Sequence, residues 1–180
     1  MGKGILGLFW CFGLVAALSA QDFPNSLFHV NLGDAKKAVL ESLASQRLAV
    51  SVTAPESAET TAKMNGYRVG VRFLIAGGDD TSPLGAVSVR QVGWGDRLQY
   101  FESMLIKLQE KYGTPIQTSA GVNQTFTWAL PNGNRVEFVE DTGTAEATLF
   151  YKSPAYDQWL QAQQKPAPPP PAAPVPENPF

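Results

Sequence analysis

Apolar and polar positions along this chain follow two periods, and the switches between them mark its elements. Val39, Leu40, Leu43 and Ala44 recur at three- and four-residue spacing, which puts one apolar stripe on a helix. Gly33-Asp34 opens that helix, with Asp34 as the expected N-cap, and Lys37 and Glu41 stand four apart on its wet side. The period then drops to two. Leu48, Val50 and Val52 alternate with Ala49, Ser51 and Thr53, the pattern of a half-buried strand. Residues 55–63 are rich in Glu, Ser, Thr and Ala and read as a surface connection. Tyr67, Val69, Val71, Phe73 and Ile75 form a full strand, with Arg68 and Arg72 on its other face. Gly77-Gly78-Asp79-Asp80 is a turn by composition, and residues 84–92 return as a strand with Val87 and Val89 facing one way and Arg90 the other. Residues 27–32 read as a short extended segment ahead of all this.

The same order then resumes. Asp96 is an expected helix cap, with Gln99 three residues on as in a capping box. Leu98, Phe101, Leu105, Leu108 and Tyr112 form an unbroken stripe, which Gly113 and Pro115 end. Three strands follow, carried by Phe126-Trp128-Leu130, by Val136-Phe138 and by Ala145-Ala147-Leu149-Tyr151. Pro131-Asn132-Gly133-Asn134 and Asp141-Thr142-Gly143 supply the turns between them. Residues 153–165 add a short terminal helix, with Trp159 and Leu160 packing down. Residues 166–180 are mostly Pro and Ala and read as a disordered, polyproline-like tail.

The expected fold is α+β. It has two helix-plus-three-strand units, residues 27–93 and 94–152, antiparallel throughout, with the helices on one face of the sheet.

Composition and charge narrow the setting. Lys3, an uncharged apolar run over residues 5–17 and the small residues Ala16, Ala17, Ser19 and Ala20 have the layout of an export signal over residues 1–20. The apolar run is short against the roughly twenty residues of a membrane span. Cleavage near Ala20 would start the mature chain at Gln21, with residues 21–26 as a polar lead-in, and place it in the periplasm or outside the cell; an uncleaved anchor is the alternative. Cys11, the single cysteine, lies inside that signal, so the mature chain would have no disulfide, thiolate metal ligand or cysteine nucleophile. Cys11 follows Trp10 rather than small residues, so no lipid anchor is expected. The net charge is −2, with the signs scattered, which leaves no basic stripe for nucleic acid.

The Gly33-Asp34 opening, the phrase Lys111-Tyr112-Gly113-Thr114-Pro115, Trp128 in a strand and Tyr151 ending a later one together resemble a group of exported bacterial modules. That group includes the β-lactamase inhibitor proteins and the SmpA/OmlA outer-membrane assembly lipoproteins. The chain lacks the disulfide cysteines of the first and the lipid-bearing cysteine of the second. The resemblance implies a binding or scaffolding role and carries over no binding residue.

Candidate chemistry is sparse, and no catalytic residue, metal site or cofactor is expected. His29 is the only histidine, and no Gly-x-Ser-x-Gly elbow accompanies it. Asp79-Asp80 and Glu140-Asp141 are acidic pairs beside turn residues, where Asp serves nearby backbone amides. Gly77-Gly78 and Gly93-Trp94-Gly95 match no phosphate-cradling motif, and Asn123-Gln124-Thr125 is a bare glycosylation sequon. Trp94 is the aromatic best placed to anchor an interface, against a plainer role covering the seam between units. Arg68, Arg72 and Arg90 share the face opposite the apolar residues, as a cationic patch or simply a solvated sheet.

The function these residues suggest is non-enzymatic. The chain reads as an exported binding or accessory protein of a bacterial cell envelope. It would meet another envelope or secreted protein through its open sheet face or the Trp94 loop. A carboxylate-dependent hydrolase and a carrier of an apolar small ligand remain the alternatives.

Overall fold

A computed structural model describes residues 28–64, 66–91, 97–144 and 146–164. The elements run α1 (Lys36–Ser45), β1 (Ser51–Ala54), β2 (Ser57–Met64), β3 (Tyr67–Ile75), β4 (Leu84–Gln91), α2 (Arg97–Tyr112), β5 (Ile116–Ala120), β6 (Asn123–Ala129), β7 (Arg135–Asp141), β8 (Glu146–Lys152) and α3 (Pro154–Gln164). The eight strands make a single antiparallel sheet in the order β1-β2-β3-β4-β8-β7-β6-β5. Each helix-led half is thus a four-strand meander, and the last strands of the two meanders, β4 and β8, pair with each other.

Several expectations need correction. Each half has four strands rather than three. Residues 57–64 form β2, not a surface connection, and residues 116–120 form β5. The segment expected as a strand over residues 48–53 pairs only from Ser51 onward. Residues 28–32 belong to no strand. Asp34 does not cap α1: its carboxylate accepts the Asn31 amide at 2.6 Å, Gly33 turns with φ 100°, and the N-cap is Ala35. The Asp is used up in the turn before the helix, so the helix begins later.

The core lies on one face of the sheet. Val69, Val71, Phe73 and Ile75 of β3 are buried there, with Val87 and Val89 of β4, Leu149 and Tyr151 of β8, and Val136 and Phe138 of β7. α1 presents Val39 and Leu43 to this face, and α2 presents Met104 and Leu108. Phe28 meets Phe73 edge-on at 5.3 Å between ring centres. Gly113 ends α2 in the left-handed region, φ 82°, and its carbonyl accepts the Trp128 indole N–H at 2.8 Å. A helix-stop residue and a core tryptophan therefore lock α2 to β6.

α3 packs on the opposite face, so the helices do not share one side. Tyr156 stands over Gly85, where an added Cβ would lie 2.6 Å from the ring. Asp157 grips Arg135, which alternates with buried Val136 and so points away from the core. Ser153 accepts the Tyr156 amide through its hydroxyl at 3.3 Å, starting the helix as a cap does. The stripe on a helix says how much of it is buried but not against which side of a sheet. β8 runs directly into α3, and the turn at Ser153, whose amide donates to the Gly85 carbonyl at 2.9 Å, sends it over the open side.

Candidate functional site

The open face of the sheet is built by the strand residues that alternate with the core. Cross-strand partners share a face, so the register aligns them in rows. One row runs Ser51, Glu59, Arg72, Ser88, Phe150, Glu137, Thr127. The next runs Thr61, Gly70, Arg90, Thr148, Val139, Thr125. Over β1–β4 and β8 these rows line a groove of about 600 Å³, with Arg72, Arg90, Glu59, Ser88, Thr61 and Thr148 as polar walls and Phe150, with Leu74 of the adjoining row, as apolar ones. Gly70 has no side chain between Thr61 and Arg90, which leaves that part of the floor open.

The charges divide between the two halves. Beyond β8 they neutralise one another. Glu137 sits between Arg135 and Lys152 and bonds to both, and Arg135 also bonds Asp157, at 2.6 Å through Nη2. Burial pushes the Glu137 carboxyl up, but the bonds from Lys152 and Arg135 outweigh it and hold the group below the usual value. The Asp157 hydrogen bond, against the opposing effect of burial, holds Arg135 above its usual value. Burial likewise raises the Tyr156 phenol, partly offset by Arg72 nearby. Lys152 rests over the Phe150 ring, 4.7 Å from its centre.

On the β1–β4 side the balance is positive. Arg72 pairs with Glu59 at 2.9 Å. Arg90 is exposed and has no carboxylate partner among the described residues. Lys63 and Arg68 face each other directly across β2 and β3, both exposed, and like charges so placed repel. An anion laid along Arg68, Arg90 and Arg72 would relieve that repulsion.

Of the expected site residues, Arg68, Arg72 and Arg90 share the open face. Arg72 and Arg90 line the groove, while Arg68 lies at the strand end beyond it. Trp94 falls outside the described residues, as does the Asp96 cap. His29 is exposed with φ 51°. Asp79 and Asp80 are exposed in the β3–β4 turn, and Asp141 spends an oxygen on the amides of Gly143 and Thr144. The groove residues missing from the sequence reading are Thr61, Ser88, Thr148 and Phe150. For Ser88, Thr148 and Phe150 the signal was the same period-two alternation that marked the arginines, though their partners across the sheet follow only from strand order; Thr61 lies on β2, which shows no such alternation.

No protein-family model matches this chain, and no curated protein matches it.

Proposed function

We propose that this chain is a non-enzymatic, exported binding protein of a bacterial cell envelope, and that its open-face groove takes an extended, acidic segment of another exported protein. The observation that carries this reading is the groove itself. Arg90 and Arg72, hydroxyls from Thr61, Ser88 and Thr148, and the Phe150 ring come together in one concave strip along the strands. Such a strip suits an extended chain with a carboxylate for Arg90, Arg72 being paired with Glu59, and one apolar side chain for Phe150. Its hydroxyls have no neighbouring histidine, since the only one in the chain is His29, which favours recognition over nucleophilic catalysis.

The same proposal covers the setting. Residues 1–20 act as a cleaved export signal and the two helix-led halves are a structural repeat joined at β4 and β8; the signal and the Pro-rich residues 166–180 lie outside the described residues. The likeness to β-lactamase inhibitor proteins and SmpA/OmlA modules belongs to this reading as well.

Affinity capture from native envelope extract tests it. Wild-type protein should retain an acidic protein partner, and Arg90→Glu should reduce retention at least tenfold while the fold, followed by melting, is unchanged. Equal capture by both would dismiss the groove as the binding surface.

A further inference from the structure

The outer hairpin β5–β6 is uncharged on both of its faces. Between Lys111 and Arg135 the chain has no Asp, Glu, Lys or Arg. β5 is the last strand of the sheet, and all five of its residues are exposed. Ile116 is 68% exposed, and Val122 in the turn after the strand is 56% exposed. Edge strands usually carry a device against pairing with another chain: a lysine, a proline, a bulge or a cover. β1, at the other edge, has a register irregularity between Val52 and Ala54 and runs into Pro55. Among the described residues, β5 shows none of these within the strand. It keeps regular register with β6 from Ile116 to Ala120, and Pro115 stands before its first residue.

We propose that the β5 edge docks a second copy of this chain, the two β5 strands pairing antiparallel about a twofold axis so that both sheets continue into one. The sequence of the strand is complementary to itself in that arrangement. Centred on Thr118, it sets Ile116 opposite Ala120 of the partner subunit, Gln117 opposite Ser119 of the partner subunit, and Thr118 opposite Thr118 of the partner subunit. A large side chain meets a small one, and polar side chains meet polar ones, with a Thr–Thr pair among the favourable cross-strand contacts. The absence of charge suits a like partner, because copies approaching by this edge meet no repulsion there, and a charged partner would find nothing to pair with. A single short strand pair is a small interface, at or below the low end of about 1,200 Å² for specific complexes. The dimer is therefore weak, with a dissociation constant on the order of tens of micromolar. The edge is separate from the arginine groove, since β7 and β6 stand between β8 and β5.

Sedimentation velocity of the full chain from about 1 to 300 µM, spanning that range, tests the proposal with two variants. Thr118 is exposed on the open face, so Thr118→Lys and Thr118→Glu leave the core untouched. Wild type should shift from monomer to dimer as concentration rises. Either variant alone puts like charges opposite each other and should weaken association at least tenfold. An equimolar mixture of the two should restore it, which misfolded protein would not do. A wild-type monomer throughout the range, association indifferent to both charges, or no rescue in the mixture would each overturn the proposal.

Discussion

Adding one methyl group at Gly85 should pry α3 from the sheet. A Cβ built there lies 2.6 Å from Tyr156 Cδ2, 2.8 Å from its Cβ and 3.0 Å from its Cγ. Carbon atoms rest comfortably at roughly 3.5–4.0 Å, so about 1 Å of retreat is needed. Because the Tyr156 Cβ is among the atoms met, turning the ring alone does not clear the contact, and the helix itself must shift. Overpacking of this kind costs about 1–3 kcal/mol. Tyr156→Ala should cost about 3 kcal/mol, the low end for losing a buried aromatic ring, because α3 covers only part of the sheet. Combining the two relieves the ring contact but not the one to the Tyr156 Cβ. The double variant should thus be less destabilised than the sum of the singles by on the order of 1 kcal/mol. Urea unfolding of the four proteins measures this. Trp159, stacked on Tyr156 at 5.7 Å, contributes to the fluorescence change as one of four tryptophans. If Gly85→Ala stays within about 0.5 kcal/mol of wild type and adds to Tyr156→Ala without coupling, α3 does not pack on β4 and the open face is larger than described.

Two further outcomes follow from the packing and the charges. Leu108→Ala, at a position only 4% exposed, should lower stability by about 2–5 kcal/mol, while exposed Lys107→Ala should change it by less than about 0.5 kcal/mol; equal urea midpoints would refute the placement of α2. Glu137 has a lowered folded pKa, so its contribution to stability is fully present above its unfolded value near 4.5 and is lost as pH falls through the lower folded value. Glu137→Gln should therefore be less stable than wild type at pH 7 and should lose less on going to pH 3, as urea midpoints at the two pH values will show; parallel losses would refute the bridging role.

The strands that alternate with large residues were readable from the sequence. In β3, β4, β7 and β8 most core positions are a large Val, Leu, Ile, Phe or Tyr recurring every second residue, so the strand and its buried face stand out even where Leu74 and Phe150 interrupt the polar side. β2 hides because its core-side residues are Ala58, Thr60, Ala62 and Met64, small or polar except the last; buried Thr60 bonds the Ala49 carbonyl at 2.8 Å. β5 hides because it buries nothing, and burial is what periodicity reports. The arginines of the groove were legible as a shared face. That Arg90 lacks a described partner while Arg72 has Glu59 was not, because Glu59 lies on the strand that periodicity missed. The side taken by α3 depends on a bond between Asp157 and Arg135 that no local pattern announces.

Whatever binds this protein should lie within reach of the groove. A photo-crosslinking side chain placed at Ser88, on the groove wall, should join to the captured acidic partner on irradiation. The same side chain at Lys107, exposed on α2 across the sheet, should not. Crosslinks from position 107 and none from position 88 would move the binding surface to the helical side.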